Sequence, residues 1–342
     1  MKILDLFCGC GGLSYGFELE GYQIVAGIDS WGDALNTFKL NHKNSLAIEY
    51  DLANPNYESL SKSIGSSIDL IVGGPPCQGF SISGHRNPED PRNKLYIGFV
   101  EAVDFFKPKA FLMENVPNLA SMKKGEILRN VIREFTDLGY TLSYKIMLAS
   151  DYGVPQNRKR LVMVGLKGAQ SFVFPEAQTP DHKVTCEEAI GDLSENSISN
   201  GNDYPSKALT QYQESMRKLS KGLFNHQISE HSIQTKSIIA LVPDGGNYKH
   251  LPEHLRSTRK VNIAWTRFNS KKPSLTIDTG HRHHFHYKFD RVPTVRESAR
   301  LQSFPDRFIF LGSKTSQYKQ VGNAVPPMLG AALAKSLKKH LG

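Results

Sequence analysis

Cysteine is scarce: Cys8, Cys10, Cys77 and Cys186 are the only four in 342 residues. Their spacings match no structural zinc pattern and no disulfide-rich secreted scaffold, so reduced thiols are expected. Long apolar runs are missing too, and nothing approaches the ~18 residues of a membrane span. The opening stretch "MKILDLFCGCGG" has neither the apolar core nor the small-residue cleavage site of a signal peptide. A cytoplasmic protein without membrane contact is the expectation. Internal repeats and low-complexity linkers are absent. Acidic residues are the minority charge, 33 against 42 Lys and Arg, for a formal net charge of +9. That excess favours polyanionic partners such as nucleic acid, although many basic proteins simply carry a solvated positive surface.

What is present, over the first half, is alternation. "KILDLF", "QIVAGID", "SLAIEYD", "SIDLIVGGPP" and "AFLMENV" read as short buried strands. Between them, "LSYGFELEGY", "GDALNTFKLNH" and "KLYIGFVEAVDFFKP" read as helices, and "GEILRNVIREFTDLGY" follows as another. "TLSYKIMLASDYGVP" and "KRLVMVGL" complete the run. This rhythm predicts an α/β fold, a Rossmann-like, mostly parallel sheet with helices on both faces.

The rhythm stops near Phe174, and to about Asp290 the text is polar. Nine of the twelve histidines fall there, four of them in "HRHHFH" (His281, His283, His284 and His286). Adjacent histidines on a strand point to opposite faces and no acidic or thiol ligands accompany them, so no metal site is expected. The segment reads as an inserted second domain with a basic later half. Expected boundaries are 1–178 for a first domain, 179–290 for the insertion, and 291–342 for a hinge and return to the first domain.

Gly9, Gly11 and Gly12 lie between the first strand and first helix. Such a turn lets a ligand approach the backbone at a helix N-terminus, and it also serves close strand–helix packing. Asp29, at the end of the second strand, can take both hydroxyls of a ribose. The spacing is not G-x-G-x-x-G, which argues against a dinucleotide and for another adenosine-containing cofactor. "GGPPCQGFS" ends the fourth strand, so Cys77 falls where ligands bind in open α/β sheets. Glu114, in "ENV", ends the next strand on the same edge. A carboxyl does not help form a thiolate, so Glu114 is better placed to protonate a substrate ring nitrogen. In "QNRKR", alternation puts Arg158 and Arg160 on one face, where they could bind a carbonyl, a phosphate or Glu114, or could be an exposed strand edge.

The ordered set "DLFCGCGG", "GGPPCQGFS", "ENV", "QNRKR", "TVRESARLQSFPDRF" and "GNAVPP" resembles the cytosine-5 DNA methyltransferases of bacterial restriction-modification systems. The likeness covers about two thirds of the chain. It implies the S-adenosylmethionine-dependent methyltransferase fold and a smaller target-recognition domain in the insertion. It also implies methyl transfer to carbon 5 of cytosine in double-stranded DNA, with base flipping. By that resemblance Cys77 attacks carbon 6 and Glu114 binds and protonates the base. Arg160 holds the base carbonyl and orients Glu114, and Arg158 supports the covalent adduct. The cofactor would be S-adenosylmethionine, held by Phe7, Cys10, Gly12, Asp29, Asp51, Pro76, Leu95, Asn323 and Val325. DNA would be met by Ser81, Ser83 and Gln156, with Ser83 either filling the hole left by the flipped base or lying on the surface. Arg256, Arg259, Arg267 and Arg282 are candidates for base or phosphate contacts. A monomer is expected, with a cognate restriction endonuclease acting separately. The sequence departs from the family's commoner residues at Cys8 (usually Ala), Asp29 (usually Glu) and Ser30 (often aromatic).

Two other classes compete. The same chemistry could act on RNA, or the framework could serve a non-catalytic DNA-binding protein. The long polar insertion favours DNA, since reading a site needs surface for the major groove. Intact Cys77, Glu114 and Arg160 favour an enzyme.

Overall fold

Runs such as "LIVG" have no polar face to show to water, so they are stable only when covered on both sides. The computed structural model describes residues 1–76, 91–258, 265–279 and 283–342, with 91–94 as backbone only. The first-half elements are β1 (Lys2–Leu6), α1 (Gly12–Leu19), β2 (Gln23–Asp29), α2 (Gly32–Asn41), β3 (Leu46–Glu49), α3 (Tyr57–Ile64) and β4 (Leu70–Gly73). They continue with α4 (Pro91–Phe106), β5 (Ala110–Asn115), α5 (Glu126–Asp137), β6 (Tyr140–Leu148) and β7 (Lys159–Lys167). Among the described residues these strands form one seven-stranded sheet in the order β3-β2-β1-β4-β5-β7-β6.

The sheet is parallel from β3 to β5, but β7 runs antiparallel to both β5 and β6. The register pairs Glu114 with Val162 and Asn115 with Leu161. Reversal brings the start of β7 to the edge where β5 ends. The helices bury apolar stripes: α5 turns Ile127, Leu128, Val131 and Phe135 inward at helical spacing. Phe135 packs on Phe111 of β5 with ring centroids 4.2 Å apart.

The described residues divide into two compact units. The first is Met1–Leu148, Lys159–Ala177 and Pro327–Gly342, and the second is Ala149–Arg158 and Gln178–Pro326. In the first unit, α12 (Pro327–Leu341) packs on α1. Gly16 permits that approach, since a Cβ there would lie 2.7 Å from the Ala331 backbone nitrogen.

The second unit contains α6 (Cys186–Ile190), α7 (Gln211–Arg217), α8 (Ile233–Ala240), α9 (Glu253–Arg256), β8 (Thr266–Arg267), β9 (His284–Phe285), α10 (Val295–Leu301) and α11 (Lys314–Asn323). A small apolar cluster, with Ile239, Val242, Trp265 and Phe285, forms one part of its interior. Another part is ionic. Arg300 pairs with Asp192 at 2.6 Å and Asp306 at 2.7 Å, all three side chains fully buried. Arg291 grips Glu297 through two 2.8 Å hydrogen bonds, and Glu297 completes a capping box with Thr294.

This corrects the expected boundaries. Residues 291–326 belong to the second unit, and only Pro327 onward returns to the first. Arg291, Arg296 and Arg300 anchor that segment, donating to Ser194, Phe224 and Asp192 respectively. Residues 149–158 also belong to the second unit, although the sequence reading kept them in the first.

Candidate active site

The carboxyl ends of β1, β2, β4 and β5 and the start of β7 supply one edge of the first unit. At the end of β5, Glu114 Oε1 accepts from Arg160 Nε at 2.7 Å, and the two side chains are 12% and 15% exposed. Arg160 Nη1 also donates to the Lys159 carbonyl at 2.7 Å, which fixes the guanidinium at the base of the strand. A planar donor fork suits a carboxylate, and shelter from water strengthens the charge-assisted bond.

Next to it, β4 runs out through Gly73 and Gly74. A Cβ on Gly74 would lie 3.1 Å from Glu114 Oε2, so the glycine leaves the carboxylate room. Asn115 Nδ2 donates to the Pro75 carbonyl at 3.0 Å and Asn115 Oδ1 accepts from Val116 N at 2.8 Å. Asn115 thus ties the end of β5 to the double proline. Nothing in the local pattern "ENV" gives Asn115 that task. Pro76 is exposed, and Cys77, Ser81 and Ser83 lie outside the described residues.

The turn after β1 is held from below. Gly9 N–H donates to Asp29 Oδ2 at 2.8 Å, and Trp31 N–H donates to Asp29 Oδ1 at 2.9 Å. Burial raises the Asp29 carboxyl above its ordinary value, and those backbone donors oppose the rise. Phe7 is half-buried in the left-handed region at φ 59°, and Gly9 and Gly11 share that region at 54° and 91°. Cys10 is 2% exposed, and burial pushes its thiol up to about 12. Gly12 opens α1. Asp51 is exposed and accepts from Ala53 N at 2.9 Å, and Leu95 packs half-buried against the core.

Sequence reasoning missed Asp5. It is buried in β1 and accepts from Ser14 Oγ at 2.6 Å, and burial lifts its carboxyl to about 7 with Asp29 adding to the rise. The available signal was an acid inside an otherwise apolar strand.

Other expected site residues are placed differently. Arg158 precedes β7, is 1% exposed, and donates through Nη2 to the Gly322 carbonyl at 2.9 Å. It belongs to the second unit while Arg160 belongs to the first. Gln156 is fully buried, and its amide donates to Leu301 O and Gln302 Oε1 and accepts from Ile277 N. That network leaves no atom to meet DNA. Arg267 is likewise internal. It donates to the Val242, His286, Phe289 and Ile239 carbonyls and to Asp290 Oδ1, at 2.6–3.2 Å. It holds the second unit together and does not read bases. Arg256 is exposed, with Nε on the Leu251 carbonyl at 2.9 Å. Asn323 is exposed and Val325 buried, both in the second unit. Arg259 and Arg282 lie outside the described residues.

The family model for C-5 cytosine-specific DNA methylases matches residues 1–339. The chain belongs to that family. This C-5 cytosine-specific DNA methylase is 39% identical to the type II methyltransferase M.DdeI of Desulfomicrobium norvegicum, over 98% of this chain and 88% of that one. It is 35% identical to M1.HphI of Haemophilus parahaemolyticus, over 99% and 87% of the two chains. Among solved structures, it resembles an E. coli prophage-encoded protein described as a DNA modification methyltransferase, with TM-score 0.82, 27% identity and 99% of both chains covered. Dnmt2 of S. pombe shares the fold, at TM-score 0.63 and 20% identity over 99% of each chain. As a member of this family, the enzyme transfers a methyl group to carbon 5 of cytosine in DNA, through a flipped base and a cysteine adduct. No helix among the described residues is long and apolar enough to cross a membrane.

Proposed function

We propose that the sheet edge built from β1, β2, β4, β5 and β7 is where this methylase uses S-adenosylmethionine to modify cytosine in double-stranded DNA. The reading is carried by the sheltered Glu114–Arg160 pair beside a β4 exit tied down by Asn115. Cys77, one residue past Pro76, is the nucleophile. Its thiolate adds to carbon 6 of the flipped base, and Glu114 donates a proton to the base at N3 as the ring takes up the electron pair. Arg160 fixes Glu114 and accompanies the base carbonyl. Loss of the carbon-5 proton after methylation re-forms the ring double bond and expels the thiolate.

The residues of the β1 turn fit the methyl donor. A Cβ on Gly9 would meet nothing within 4 Å, so open space faces the turn. Each Asp29 oxygen accepts one backbone N–H and keeps lone-pair capacity for a ribose hydroxyl. Phe7, Gly12, Asp51, Pro76 and Leu95 complete the wall, and the Cys10 backbone lines it. When bound, S-adenosylmethionine supplies an electrophilic methyl group. The second unit reads the target, with Arg256 among its DNA contacts, and a restriction endonuclease recognises the same sequence separately.

The test is trapping on duplexes carrying 5-fluorocytosine, with cofactor present. Fluorine cannot leave as a proton does, so a covalent complex that persists in denaturant is expected. No complex on any DNA would overturn the reading, and trapping on RNA alone would redirect it.

A further inference from the structure

Two side chains behind the glycine turn have no part in the chemistry above. His42 follows α2 directly and is 1% exposed. Its ring stacks on Phe38, with centroids 4.3 Å apart and planes 28° from parallel. It meets Tyr15 edge-on at 6.1 Å. Its Nδ1 lies 2.8 Å from Oε2 of Glu18, on α1, whose side chain is 29% exposed.

These rings are the floor of the turn. A Cβ on Gly11 would lie 2.7 Å from His42 Cδ2 and 2.8 Å from Phe38 Cδ2. Gly11, at φ 91°, is also the residue from which α1 starts. The backbone that opens α1 therefore sits in direct contact with the edge of the imidazole. An aliphatic side chain could fill the same volume. A histidine gripped by a carboxylate fixes ring rotation as well as volume, because the Nδ1 bond has one favourable direction. Turning the ring would push Gly11, and with it the backbone from Cys10 to Gly12. Displacements of about 1 Å in a positioning element are enough to weaken a site strongly.

We infer that Glu18 and His42 are positioning residues for the methyl-donor turn. Glu18 holds the imidazole in one rotation, the imidazole sets the height of Gly11, and the pair governs donor affinity and not the chemical step. This rests on the reading of residues 7–12 as the donor site.

The experiment is calorimetric titration of S-adenosylmethionine into the full-length wild type, Glu18→Ala and Glu18→Gln, with steady-state methylation kinetics on all three. Glu18→Ala should bind the donor roughly tenfold more weakly, as expected for one lost charge-assisted hydrogen bond. The loss should appear in KM for the donor and not in kcat. Glu18→Gln keeps an oxygen to accept from Nδ1–H and should recover most of the affinity. Wild-type affinity in Glu18→Ala overturns the inference, and so does Glu18→Gln binding as weakly as Glu18→Ala. A fall confined to kcat overturns it as well. Failure of the wild type itself to bind the donor overturns the donor-site reading beneath it.

Discussion

Arg160 reaches back from the start of β7 to place Nε 2.7 Å from Glu114 Oε1 at the end of β5. The contact joins two antiparallel strands, so it exists only while their register pairs Glu114 with Val162. It gives the Glu114 carboxyl a fixed direction, the kind of pre-organisation that lowers a barrier without new contacts.

Glu114→Gln keeps the shape of the side chain and loses the proton. Methyl transfer should fall by about 10²–10⁴-fold, the usual contribution of a general acid. Arg160→Lys should lose at least tenfold, because an ammonium cannot reproduce the planar fork. Single-turnover methylation checks both, and activity within twofold of wild type in Glu114→Gln would remove it from the acid role.

Arg256 and Arg267 were grouped together by sequence and should separate in experiment. Arg267→Ala strands four carbonyls inside the second unit and should cost about 1–3 kcal/mol or more, the penalty of leaving buried acceptors without a donor. Arg256→Ala should leave the melting temperature within a degree or two and reduce the salt dependence of DNA binding by about one unit of slope. Thermal melts and binding titrations at several salt concentrations distinguish the two.

Acid should loosen the second unit in two stages. Burial pushes His286 down to about 4 and lowers His226. Burial alone would raise the Glu297 carboxyl, but His286 and Arg291 hold it at about 2. In each case the unfolded chain binds the proton more readily. Stability is therefore full above about pH 6.5, the ordinary histidine value, and declines as pH falls. The histidine contribution goes between about 6.5 and 4. The Glu297 contribution goes from its ordinary 4.5 toward 2. Urea unfolding across this range should show both stages, and His286→Gln should flatten the upper one.

Gly16→Ala should destabilise the first unit by about 1–3 kcal/mol, the usual cost of overpacking. The added methyl meets the α12 backbone at Pro327 and Ala331, and backbone cannot rotate away as a side chain can. A melting temperature equal to wild type would mean that α12 moves aside freely.

Much of this was legible in the sequence because it depends on local pattern. Glycine turns at strand ends, an acid at the end of β5 and alternating elements each leave a local trace. Arg158 precedes β7, which begins at Lys159, and its partner Gly322 is 164 residues later in the chain. Gln156 and Arg267 were hidden for a related reason. A polar residue in polar text reads as surface, and their partners are mostly carbonyls supplied by remote stretches such as Leu301, Ile239 and His286. The role of Asn115 was equally hidden, since its partner Pro75 is forty residues earlier in the chain.

The chain passes between its two units at Leu148, Arg158, Ala177 and Pro326. A second unit exchanged between relatives as the single stretch 179–290 would leave Ala149–Arg158 and the buried arginines of α10 behind, facing a foreign interior. A workable chimera should cut at all four crossings, carrying Arg158, Asp192 and Arg300 together as one inherited set.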